Sequence, residues 1–200
     1  NTNQTGIARF FEFKVLDKNL STELKDKYRG DFLNYQNILT NDNKNTDALK
    51  ELAKIKKYIG DYEGARQIYL YAEEVSSTNY TLPASLGDLC QNFLKDYSCA
   101  ELAYKRAIEK CVGKSETDCS LLYFNLADLY YAWPDKKAET EKVILDGLVK
   151  LPDNLNLLGY LANYYKKEGD SIKAKGIYNN ILQLDPANEA AKRELENLSN

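Results

Sequence analysis

Residues 178–188 read YNNILQLDPAN, and residues 35–45 read YQNILTNDNKN. Tyrosine, asparagine, isoleucine, leucine, aspartate and a final asparagine fall in the same places. Between the two stretches an equivalent large residue recurs at Tyr69, Tyr104 and Ile144, so that the series from Tyr35 to Tyr178 has separations of 34, 35, 40 and 34 residues. A small residue stands four positions before four of them, at Ala65, Ala100, Thr140 and Ala174. Another small or apolar residue follows three positions after, at Ile38, Ala72, Ala107, Gly147 and Ile181. Steps of three and four place these side chains on one helical face. The longer period means that one packing unit has been copied several times.

The composition fits such an array. The chain has 200 residues, 44% hydrophobic and 28% charged, with only four prolines and ten glycines to interrupt it. The net charge of −3 is too mild to point to nucleic acid. Histidine is absent. That removes Ser-His-Asp and Cys-His nucleophile pairs and the zinc sites built on HExxH. There is no Gly-rich phosphate loop, GxSxG or GxGxxG. The carboxylates, such as Glu73, Glu74 and Asp135, read as solvated helix faces. No run approaches the 18 uncharged apolar residues of a membrane span. Methionine is also absent, which implies a removed segment ahead of Asn1: a signal peptide, a membrane anchor or an artificial cut. An interaction module without cofactor or metal is therefore expected ahead of an enzyme.

The unit resembles the tetratricopeptide repeat (TPR), a helix–turn–helix of 34 residues. The copy at 46–79 carries Leu52-Ala53, Gly60-Asp61, Ala65, Tyr69 and Ala72. The copy at 155–188 carries Leu158, Leu161-Ala162, Tyr165, Gly169-Asp170, Ala174, Tyr178 and Pro186. Two looser copies lie between them. One, at 80–119, has Leu86-Gly87, Ala100, Tyr104 and Ala107. The other, at 120–154, has Leu126-Ala127, Tyr130, Gly147 and Pro152, with Trp133-Pro134 inserted in its turn. The resemblance implies an all-α fold, a right-handed superhelix of antiparallel helix pairs. Each small residue admits a neighbouring helix and each large one fills the space, so copies are stable only when stacked.

The ends are read separately. Residues 1–45 are expected to form an N-terminal cap or half-repeat, with 1–6 loose; Phe10, Phe11, Phe13, Val15, Leu16, Leu20 and Leu24 either dock as that cap or form the stalk of a removed membrane anchor. Tyr35 is expected in the core. Residues 189–200 form a capping helix that turns Ala190, Ala191, Leu195 and Leu198 inward.

In the family, the first helix of each unit lines the concave face and grips a peptide or partner helix. Carrying that face over by spacing gives Lys50, Glu51, Lys54 and Tyr58 in the first unit, and Ser85, Asp88 and Asn92 in the second. The third contributes Phe124, Asn125, Asp128 and Tyr131, the fourth Tyr160, Asn163 and Lys167. Phe124, Tyr131 and Tyr160 form an aromatic floor in one reading and inter-helix padding in the other. Asn125 and Asn163 each offer a donor and an acceptor to a partner backbone. The clamp by which co-chaperone members hold a carboxylate terminus is not repeated here. Lys50 matches it, but Lys54, Ser85, Leu121 and Asn125 stand where Asn, Asn, Lys and Arg belong.

Four cysteines at 90, 99, 111 and 119 contain no CxxC pair, which argues against zinc. They form either two disulfides or four reduced core thiols. Cys99 and Cys111 fall on one expected helix about 18 Å apart, too far to bond. Antiparallel packing sets Cys90 beside Cys99, which leaves Cys90–Cys99 and Cys111–Cys119 as the expected pairs. Oxidised pairs favour an exported protein, periplasmic or extracellular; reduced thiols go with the cytoplasm.

Overall fold

Short polar side chains set where the helices begin. In the computed structural model, which describes residues 4–111, 113 and 115–198, Ser21, Asn45, Asp61, Ser115, Asn154, Asp170 and Asn188 each accept a bond from the backbone N–H three residues on. Each thereby satisfies an amide that has no partner within its helix. The helices are α1 (Gln4–Ala8), α2 (Thr22–Asn41), α3 (Thr46–Tyr58), α4 (Tyr62–Val75), α5 (Thr81–Leu89) and α6 (Tyr97–Lys110). They continue with α7 (Glu116–Ala132), α8 (Thr140–Lys150), α9 (Leu155–Lys167), α10 (Ser171–Leu184) and α11 (Glu189–Asn197). A π-turn (Cys90–Leu94) follows α5, and a 3₁₀ helix (Pro134–Glu139) precedes α8. No strand occurs among the described residues.

The chain divides into two compact units, Asn1–Lys110 and Cys111–Asn200. In the first, α2 packs on α3, α3 on α4, α4 on α5 and α5 on α6. In the second, α7 packs on α8, α8 on α9, α9 on α10 and α10 on α11, and α7 also meets α9. The repeated small residues Ala65, Ala100, Thr140 and Ala174 are all fully buried. Tyr69, Tyr104, Ile144 and Tyr178 are buried beside them. In the Leu86-Gly87 pair of α5 the glycine is required: a Cβ there would lie 2.5 Å from the Tyr104 ring. Gly60 and Gly169 turn the chain with φ of +85° and +81°, a conformation that costs glycine nothing. Between α5 and α6 the π-turn replaces this device, and Lys95 takes the left-handed conformation instead (φ 56°).

The N-terminal segment departs from the repeat. After α1 the chain runs without helix from residue 9 to 21 as a strap held against α2, α3 and α4. Phe10 is buried beside Tyr71, with ring centroids 5.6 Å apart, and Phe13 meets Phe32 edge-on at 5.2 Å. The amides of Leu16 and Asp17 both donate to the Ile59 carbonyl, at 2.7 and 2.9 Å. Buried Lys56 donates to the Glu12 carbonyl and to Asp61. Leu16 and Leu24 do not dock; they are 48% and 39% exposed. Tyr35 is half-buried rather than in the core, because a narrow strap covers α2 less completely than a partner helix would. Of the residues expected to be loose, 1–3 lie outside the described residues and Gln4 to Gly6 belong to α1. At the other end α11 buries Ala191 and half-buries Leu195 and Leu198, whereas Ala190 is exposed.

Candidate functional site

Residues at three- and four-residue steps on α7 face a matching row on α9. Thr117, Ser120, Leu121 and Phe124 form one wall and Leu155, Asn156, Gly159, Tyr160 and Asn163 the other, enclosing a cleft of about 490 Å³. The rings of Phe124 and Tyr160 close its floor edge-on, with centroids 4.5 Å apart. The described residues lining it include no charged side chain. A Cβ on Gly159 would have no atom within 4 Å, so the α9 surface is lowest there. Asn163 accepts from the Tyr178 hydroxyl at 3.1 Å through Oδ1, so its NH₂ is not used by that bond. Burial pushes the Tyr160 phenol well above its ordinary range, and the Asp128 charge adds to this. The hydroxyl therefore stays protonated, and able to donate, into strongly alkaline pH.

Of the side chains named from spacing in this unit, Phe124, Tyr160 and Asn163 come together. Half-buried Asn125 and exposed Asp128 lie on α7 but do not line the cleft. Tyr131 belongs to a separate cluster at the far end of α7. Its ring meets Tyr164 at 6.2 Å and lies under the ammonium groups of Lys137 (4.8 Å) and Lys167 (5.2 Å). Lys137 is held there by Glu168 at 2.8 Å. Leu121, Leu155, Asn156 and Gly159 were not expected on this face. The available signal was apolar residues off the core stripe: Leu121 is 55% exposed and Leu155 36%.

The residues named from 50 to 92 are engaged with one another or with side chains around them. Lys54 pairs with Glu51 at 2.7 Å, and Lys50 lies 3.6 Å from Asp47. Asp88 accepts from Lys57 at 3.1 Å and from Asn92 at 2.8 Å. Ser85 hydrogen-bonds the buried Tyr69 phenol. Tyr58 is 49% exposed and stacks on Tyr28 at 5.5 Å. This face carries ion pairs and a stacked pair of tyrosines.

The cysteine sulfurs lie at bonding distance in neighbour pairs, 2.01 Å for Cys90–Cys99 and 2.09 Å for Cys111–Cys119. The first pair spans the π-turn. The second pins the start of α7, whose first turns wall the cleft. Among the described residues there is no group of three or more potential metal ligands, and no helix is long and apolar enough to cross a membrane.

No protein-family model matches the chain, and no curated protein matches it. Solved structures do. MamA is similar over 84% of this chain and 96% of its own, with 17% identity and a TM-score of 0.58. YrrB, described as a TPR protein with an unusual peptide-binding site, is 13% identical over 82% of this chain and 81% of its own, with a TM-score of 0.54. PilW, a widely conserved type IV pilus biogenesis factor, is 15% identical over 82% and 73%, with a TM-score of 0.57.

Proposed function

We propose that this chain, which has the all-α tetratricopeptide-repeat fold, is a non-enzymatic scaffold or adaptor that holds a protein or peptide partner on its first-helix face. The observation that carries this reading is the α7–α9 cleft, with Phe124 and Tyr160 at its floor. Rigid aromatic side chains in a concave, dry setting are favoured anchors of interfaces. The similarity to YrrB, a TPR protein with a peptide-binding site, supports it. The repeat borders 46–79, 80–119, 120–154 and 155–188 belong to the same reading, as does a protein rather than nucleic-acid partner. In a pull-down from the source cells, the double substitution Phe124→Ala and Tyr160→Ala should weaken capture while secondary structure is kept. Undiminished capture would count against the cleft.

We place the protein in an oxidising compartment, exported and either free or membrane-anchored. The two cysteine pairs at bonding distance and the likeness to a pilus biogenesis factor support this. Thiol titration of the denatured, unreduced protein should find almost no free thiol; four per chain would overturn the placement. A second reading, a structural part of a cell-envelope assembly, is favoured by exposed apolar residues on the second helices: Leu145 at 42%, Val149 at 75% and Ile172 at 86%. Partner crosslinks confined to α8 and α10, with none on α7 and α9, would select it.

A further inference from the structure

The α7–α9 cleft does not end at α9. A second cleft of about 400 Å³ lies on the other side of that helix, toward α11, and shares Leu155, Asn156, Gly159 and Asn163 with the first. The two are therefore neighbouring hollows on either side of one ridge. Gly159 is the saddle of that ridge, because open space surrounds the place where a side chain would stand. The chemistry changes across the saddle. The first hollow is uncharged among its described lining residues, with Phe124 and Tyr160 at its floor. The second carries a carboxylate, Glu194, the only charged side chain among the described residues lining either hollow. Lys166 bonds Oε2 of Glu194 at 2.6 Å, but it is not part of the lining. A carboxylate accepts several hydrogen bonds at once, so this partner leaves acceptor capacity toward the cleft.

We propose that the partner is an internal, extended segment that crosses α9 at Gly159, rests a large apolar side chain on the Phe124–Tyr160 ring pair, and directs a lysine or arginine to Glu194. This rests on the reading of the α7–α9 cleft as the partner site. The spacing follows from geometry. A helix with its side chains is about 10 Å across, and a chain extended as polyproline II advances about 3.1 Å per residue and returns a side chain to the same face at every third position. The cation should therefore follow or precede the apolar anchor by about three positions. The side-chain amides of Asn156 and Asn163, one on each side of the saddle, are placed to bond the backbone between them. An acidic residue or a free carboxylate terminus would meet Glu194 and no lining cation, which disfavours both.

The test is selection of random phage-displayed peptides on the purified full chain, repeated on Gly159→Leu and Glu194→Gln. Gly159→Leu sets its Cβ in open space and replaces the weaker helix former, so it should melt no lower than the parent. Enriched peptides should pair a large apolar residue with a Lys or Arg about three positions away. Their affinity should fall at least about tenfold on Gly159→Leu. On Glu194→Gln the same peptides should weaken, and their cation→Ala forms should bind both proteins alike. If enriched peptides bind Gly159→Leu as well as the parent, the cleft is not the partner site and both readings fall. If binding needs the saddle but shows no cation preference, or keeps that preference on Glu194→Gln, this inference alone is overturned. Failure to enrich any peptide also overturns it.

Discussion

Thr140 stands where the other repeats carry alanine, and it is fully buried with a hydroxyl that has no hydrogen-bond partner. A buried unpaired hydroxyl costs about 1–3 kcal/mol. Thr140→Val keeps the shape and removes the hydroxyl, so it should stabilise the protein by about 1 kcal/mol, measured by urea unfolding. Glu73 is the opposite case. Burial alone would raise its carboxyl, but hydrogen bonds and charges from Arg106 and Lys110 outweigh burial and hold it below its ordinary 4.5. A depressed carboxylate stabilises the fold above its unfolded value and loses that contribution as pH falls through the folded one. The stability advantage of the parent over Glu73→Gln should thus be greatest above 4.5 and shrink below it. The small-residue rhythm that places Thr140 is plain in the sequence. The meeting of Glu73 with Arg106, 33 residues away, is not, because it depends on how α4 and α6 are offset.

At the level of elements, the strap is tied to the α3–α4 turn by its backbone. A Cβ on Gly60 would lie 2.7 Å from the Asp17 nitrogen, and φ there is +85°. Gly60→Ala should therefore strain the turn and push off the strap. Amide exchange at Leu16 and Asp17, which donate to Ile59, should quicken far more than in α5 or α6. The cysteine pair across the π-turn closes a short loop, with a sequence separation of 9. Replacing both Cys90 and Cys99 with serine should cost about 2–3 kcal/mol by the chain-entropy estimate and open residues 91–96 to proteases. An odd loop between two helices can be seen in the sequence at this point. That it becomes a π-turn ended by a left-handed lysine cannot, since a non-glycine residue there is accepted only when surrounding contacts impose it.

At the level of the molecule, helices in each unit pack on their chain neighbours, so stability is a sum of local interfaces. The second unit has its own core, including Leu126, Leu129, Ile144, Leu161, Tyr178 and Ile181. A fragment of residues 111–200 is expected to fold alone, with a helical circular dichroism spectrum and a cooperative melt. A featureless, non-cooperative melt would contradict that expectation.

The sequence by itself determined the all-α repeat. Steps of three and four within helices, a period near 34 between them, and capping Ser, Asn and Asp residues are all local signals, and each appears several times. Only the tertiary structure decided which outward side chains meet. Phe124 and Tyr160 share a cleft while Tyr131 joins Lys137 and Lys167 elsewhere, because the spacing between helices and the Pro134–Glu139 insertion set those encounters. The low saddle at Gly159 is likewise a property of two helix surfaces facing one another. The strap carries no period to read: it is fixed by backbone bonds to Ile59 and by two aromatic contacts far away in the chain.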